Sequence, residues 1–146
     1  MLLDDPTCKG PVAGLLAAVR HALLIGAEAL VFQPVDMPFL TSQALVELRT
    51  RAIQNNAIAI ACGPAVGDKA VGDKVWTLGA IPASMLLQVE QRIVGLIGHN
   101  EGTTRSSPGL RNVFSDLNVV AVSFSDHILR NVNTPSDLAS HDEEHI

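Results

Sequence analysis

Ala29-Leu30-Val31-Phe32-Gln33-Pro34-Val35-Asp36-Met37-Pro38-Phe39-Leu40 places an apolar run, interrupted only by Gln33, directly in front of a carboxylate framed by two prolines. The apolar stretch from Ala29 to Val35 is typical of a strand covered on both faces, as in a parallel sheet. Asp36 then projects from the strand's carboxyl end, where open α/β sheets bind their ligands. The prolines stiffen the backbone on either side of it. A carboxylate so placed suits Mg²⁺, which takes one or two protein carboxylates and fills its other positions with water and phosphate oxygens. The plainer reading is a strand-ending Asp that bonds nearby backbone N–H groups or caps the next turn.

Working outward, apolar runs alternate with amphipathic segments. Residues 11 to 25 read as a helix, with Val12, Leu15, Leu16, Val19 and Leu23 at helical spacing and Pro11 suited to the first position. Thr41 or Ser42 caps a second helix running to about Asn55. Ala57 to Cys62 reads as another buried strand, Gly63 to Lys74 as a loop with the near repeat Val66-Gly67-Asp68-Lys69 and Val71-Gly72-Asp73-Lys74, and Val75 to Leu78 as a short strand. Pro82 is expected to open a long helix carrying Leu86, Val89, Ile93, Leu96 and Ile97 on one side. Residues 98 to 107 read as a loop, Pro108 to Leu117 as a short helix and Asn118 to Phe124 as a strand. Thr134-Pro135-Ser136-Asp137 starts a last short helix in a near capping box, and the acidic end, residues 141 to 146, is expected to fray. Strands alternating with helices imply one α/β domain over residues 1 to 146, with a mostly parallel sheet.

Composition narrows the classes of function. Apolar residues make up 47% of the 146 and aromatics only 3%, so the expected core is aliphatic. A net charge of −5, with Lys and Arg scattered, argues against a nucleic-acid surface. No apolar run approaches the length of a membrane-spanning helix, and Met1 to Asp5 carries no signal-peptide pattern, so a cytoplasmic protein without membrane partners is expected. Cys8 and Cys62 form no metal-ligand pattern and are expected as free thiols, with Cys62 buried in a strand.

Two further segments can carry chemistry. Asp5-Pro6-Thr7-Cys8-Lys9-Gly10-Pro11-Val12-Ala13-Gly14 is a glycine-containing loop entering a helix, where N–H groups attract anions and small residues allow close approach. The competing reading is an ordinary loop with good helix-starting chemistry. In Asn131-Val132-Asn133-Thr134-Pro135-Ser136-Asp137-Leu138, the two asparagines alternate on an extended segment and face the same way. A turn before a capped helix accounts for Thr134, Pro135 and Asp137 but not for Asn131.

Taken together, Gly10-Pro11-Val12-Ala13-Gly14-Leu15, Val35-Asp36-Met37-Pro38-Phe39-Leu40 and Asn131-Val132-Asn133-Thr134-Pro135-Ser136-Asp137-Leu138 resemble molybdenum-cofactor guanylyltransferases in order and separation. The resemblance to this MobA-like nucleotidyltransferase family covers nearly the whole chain and is weakest between about 63 and 107. It implies a three-layer, Rossmann-like fold and a Mg²⁺-dependent transfer of GMP from GTP to molybdopterin, releasing pyrophosphate. Asp36 matches the family's Mg²⁺-binding aspartate. Asp5, or alternatively Asp4, matches an aspartate that helps bind the nucleotide, with Gly10 and Gly14 in the same loop. Asn131 and Asn133 match asparagines near the metal or pterin side. A cytidylyltransferase of the same fold, or a non-catalytic homologue that binds a pterin or a protein, shares this layout. The family's Leu-Ala-Gly-Gly-type loop, which cradles the triphosphate, has no counterpart in these 146 residues. The resemblance therefore implies a chain shortened at its N-terminus, with an unpaired sheet edge beside Ala29 to Val35 and hence a homo-oligomer.

Overall fold

The computed structural model describes residues 11–34, 36–64, 72–99 and 109–130. Along the chain run α1 (Pro11–Ile25), β1 (Ala29–Phe32), α2 (Ser42–Asn55), β2 (Ile58–Cys62), β3 (Lys74–Pro82), α3 (Ala83–His99), α4 (Leu110–Phe114), β4 (Val119–Ser123) and α5 (Asp126–Leu129). Four strands form one sheet in the order β1-β3-β2-β4. β2 and β4 are parallel, whereas β3 pairs antiparallel with both β1 and β2. Strands β1, β2 and β4 therefore share one direction, and β3 is the single reversed strand between them.

Helices cover both faces, giving three layers. Although β2 is apolar throughout, its side chains still alternate. Ile58 and Ile60 enter a core with Leu16 and Val19 of α1, Leu86 and Val89 of α3 and Phe114 of α4. Ala59 and Ala61 face a second core with Ala44, Leu48 and Ala52 of α2. Small residues on that side let α2 lie close across the sheet, while branched ones fill the wider gap under α1 and α3. The cores are mainly aliphatic, as the composition implies, but Phe32, Trp76 and Phe114 gather in one place. Phe114 stacks on Phe32 at 5.8 Å and on Trp76 at 6.4 Å between ring centroids.

Local signals explain most boundaries. Thr41, the cap of α2, accepts a hydrogen bond from the Ala44 N–H at 3.1 Å, and Asn56 ends that helix in the left-handed region at φ 50°. Strand β1 is shorter than the 29–35 run, because its ladder with β3 ends at the pair Phe32↔Gly79 and Pro34 has no N–H to donate. β3 runs well past the expected Val75–Leu78. Gly79, Ala80, Ile81 and Pro82 continue it by pairing with Phe32, Val31, Leu30 and Ala29. Pro82 thus closes the strand rather than opening the helix. It sits at the end of the ladder, where a missing donor costs little, and Ala83 begins α3 with its N–H on the Glu28 carbonyl at 2.9 Å. Gly79 is needed there: a Cβ would collide with the Ala59 carbonyl oxygen and lie 2.9 Å from Phe32 Cζ. Helix α4 and strand β4 fall inside the expected 108–117 and 118–124 segments. Helix α5 is an addition that the sequence reading lacked, a single turn capped by Ser125. The helix expected from Thr134 and the fraying end lie outside the described residues. Among the described residues, no helix is long and apolar enough to cross a membrane.

Candidate functional site

Because β1, β2 and β4 share a direction, their carboxyl ends meet at one edge of the sheet. The reversed strand β3 starts at that edge, where Lys74 pairs with Cys62. The segments gathered there are the turn after β1, Gly63-Pro64 after β2, Gly72-Asp73 before β3 and Ser125–Leu129 after β4. Gly63 and the segment before β3 close a hairpin base through Gly63 N–H to the Asp73 carbonyl and Gly72 N–H to the Gly63 carbonyl, both at 3.1 Å. A Cβ at Gly72 would press on the Pro64 oxygen at 2.5 Å, so the base admits no side chain at that position.

Asp36 does not follow β1 directly, because the strand ends at Phe32; it lies in the turn that carries Met37 and is half-buried. Met37 anchors that turn by entering the α2-side core at 8% exposure, and the Leu40 N–H closes on the Met37 carbonyl at 3.3 Å. Among the described residues, no hydrogen bond or ion pair engages the Asp36 carboxylate. The cap that the plainer reading assigned to it is made instead by Thr41.

Sequence reasoning passed over Asp126 and His127, on the single turn just beyond β4. Asp126 Oδ1 lies 3.7 Å from where a Cβ on Gly63 would stand, so this carboxylate sits above the end of β2. The His127 ring rests against Phe39, centroids 5.2 Å apart and tilted by 35°. The signal was present in the sequence: Ser125-Asp126 directly follows an apolar run, as Asp36 does. Cys62, at the end of β2, is a free, buried thiol as expected. Burial pushes its pKa up against the opposing pull of Lys74 and a hydrogen bond with Ser123, which leaves it a poor nucleophile.

The other sequence candidates divide cleanly. Gly14 lies exposed in the first turn of α1. The short connection Gly26–Glu28 folds α1 back over β1, so that turn lies toward the same edge as Asp36. Asp5, Gly10, Asn131 and Asn133, with Asp4 and most of the Gly-Asp-Lys repeat, are outside the described residues. A depression of about 370 Å³ on α3 is lined by Gln91, Arg92, Gly95 and Leu96, but its arginine is already paired with Asp116 at 2.8 Å. Among the described residues no three His, Cys, Asp or Glu side chains form a metal cage. Asp36 instead fits a cation held by a single protein carboxylate and shared with phosphate oxygens, the arrangement Mg²⁺ favours.

The family model for the MobA-like NTP transferase domain matches residues 1–101. The chain belongs to this family. MobA-like relatives include the molybdenum cofactor guanylyltransferase of Cereibacter sphaeroides, 32% identical over 122 residues, covering 80% of this chain and 59% of that protein. The protein of the same name from Sinorhizobium fredii is 38% identical over 58 residues, 38% of this chain and 27% of its own length. The chain thus spans 59% of the length of the first of these relatives. Among solved structures, the 2-C-methyl-D-erythritol 4-phosphate cytidylyltransferase of Thermus thermophilus superposes with a TM-score of 0.51 at 13% identity, over 90% of this chain and 69% of that one. That likeness establishes a nucleotidyltransferase fold for this MobA-like chain.

Proposed function

We propose that this MobA-like domain serves cytoplasmic molybdenum-cofactor biosynthesis by transferring GMP from GTP to molybdopterin. A terminal phosphate oxygen of the pterin forms a bond to the α-phosphorus of GTP as the bond to the leaving pyrophosphate breaks. The observation that carries this reading is the Asp36 carboxylate, held at the carboxyl end of β1 without a protein partner among the described residues. Mg²⁺ bound there supplies charge neutralisation on the phosphates, and positioning does most of the rest. Gly14, exposed in the first turn of α1, leaves room for phosphate beside the backbone, with Gly10 and Asp5 on the nucleotide side. Asn131 and Asn133 are assigned to the metal or pterin side.

The acceptor is the property these residues decide, so it provides the test. The chain is joined behind a glycine-rich phosphate loop of the Leu-Ala-Gly-Gly type and given GTP and Mg²⁺. Pyrophosphate release is expected only when molybdopterin is added. Release that ignores molybdopterin, or that responds equally to 2-C-methyl-D-erythritol 4-phosphate, would refute the assignment.

The same reading includes self-association. Among the described residues β1 pairs only with β3, and its four apolar residues stay half-buried, with neither charge nor proline to protect the open edge. At the end of α1 that leads into this strand, Leu24 and Ile25 are 84% and 62% exposed. Two chains pairing these edges about a two-fold axis cover both features. Light scattering on the 146-residue chain at tens of micromolar is expected to give a dimer or larger species, and a lasting monomer contradicts it.

A further inference from the structure

The turn that carries Asp36 starts at one edge of the sheet, yet it ends in contact with the helix that follows the strand at the other edge. From β1 to β4 the chain crosses three inter-strand gaps, roughly 14 Å in all. Two anchors span that distance. Met37 enters the α2-side core that also contains Phe124 and touches Ile128. Phe39, half-buried, lies against the ring of His127 on α5. The first anchor holds the turn down toward the sheet, and the second fixes it sideways. Helix α5 is itself held: Ile128 and Leu129 pack against the α2-side core, and the Phe124 N–H just before the helix bonds the Cys62 carbonyl at 2.9 Å. The ring of His127 is therefore mounted on a fixed element.

We propose that His127 is a positioning residue for Asp36: through its ring contact with Phe39 it fixes the Asp36–Leu40 turn so that the carboxylate is presented toward the carboxyl ends of β2 and β4. This rests on the reading of Asp36 as a cation-binding carboxylate. A carboxylate on a turn free to swing spends part of its time out of position, and its apparent affinity for a cation falls by that fraction. His127 acts through Phe39 by its shape and its aromatic face, so a phenyl ring in its place restores the effect.

The test uses the ¹⁵N-labelled 146-residue chain with Mn²⁺ alone as the probe, reading the amide signals that the paramagnetic ion broadens. In the parent chain the Met37, Phe39 and Leu40 amides broaden selectively. His127→Ala is expected to raise the Mn²⁺ concentration that halves these signals by about three- to tenfold, the scale of one aromatic pair. Broadening near Asp116, on the far side of the α3–α4 contact, stays unchanged and reports that the fold is intact. His127→Phe is expected to return the midpoint to within about twofold of the parent. An unchanged midpoint in His127→Ala overturns the proposal, and so does a His127→Phe variant as weak as His127→Ala, which would make the imidazole a ligand in its own right. Asp36→Asn separates the two levels: if it leaves the selective broadening intact, the cation-binding reading of Asp36 fails, whereas loss of broadening in Asp36→Asn with no effect of His127→Ala defeats the positioning role alone.

Discussion

Purified alone, the 146-residue chain is expected to bind GTP too weakly to register at micromolar concentrations, with or without Mg²⁺. The three phosphates of a nucleotide are usually gripped by several charge-assisted hydrogen bonds from a glycine-rich loop and a lysine, and the 146 residues contain no such sequence pattern. Each bond of this kind is worth about 1.5–3 kcal/mol. The absence of three raises the dissociation constant by on the order of a thousandfold or more. Among the described residues, what remains is the first turn of α1 and the half-buried carboxylate of Asp36, which attracts a cation rather than a phosphate. Isothermal titration calorimetry checks this directly. A flat titration at tens of micromolar GTP is the expected result, and a micromolar dissociation constant would mean that another part of the chain grips the triphosphate.

The layers of the fold were legible because burial leaves periodic traces. Val12, Leu16 and Val19 at helical spacing marked α1, and the unbroken run from Ile58 to Cys62 marked a strand covered on both sides. Thr41 or Ser42 marked the start of α2, and Thr41 is the residue that caps it. Where the reading went astray, a long-range contact had overridden a local signal. Gly79 and Pro82 look like breakers in isolation, yet Gly79 is the residue that lets Phe32 and the Ala59 carbonyl approach β3, and Pro82 costs little at the end of a ladder. The reversal of β3 was hidden for the same reason: an apolar run reads alike in both directions, and only its partners decide its sense. At the candidate site, Asp36 stood out in the sequence because a carboxylate follows an apolar run there, although the strand itself stops at Phe32. His127 did not, since its part depends on a ring contact with Phe39, far away in the sequence, which no spacing rule brings together.

If Asp36 holds the metal, replacing it by asparagine should cost activity and almost no stability. In the chain joined behind a phosphate loop, Asp36→Asn keeps the side chain's size and its place in the turn but removes the charge a hard cation needs. Metal stabilisation of a phosphoryl-transfer transition state is worth several kcal/mol, so turnover should fall by on the order of a hundredfold or more. Stability should hardly change. The carboxylate makes no hydrogen bond or ion pair among the described residues, and substitutions at such positions usually stay within about 0.5 kcal/mol. The turn keeps its anchors at Met37 and Phe39, so the melting temperature is expected to move by no more than a few degrees. The decisive measurement is molybdopterin-dependent pyrophosphate release from GTP at saturating Mg²⁺, parent against Asp36→Asn, with a thermal melt of each. The account predicts near-complete loss of release with an unchanged melt. Release within about threefold of the parent, a barrier difference of less than 1 kcal/mol, would contradict it, because the carboxylate at the end of β1 would then have no part in the chemistry.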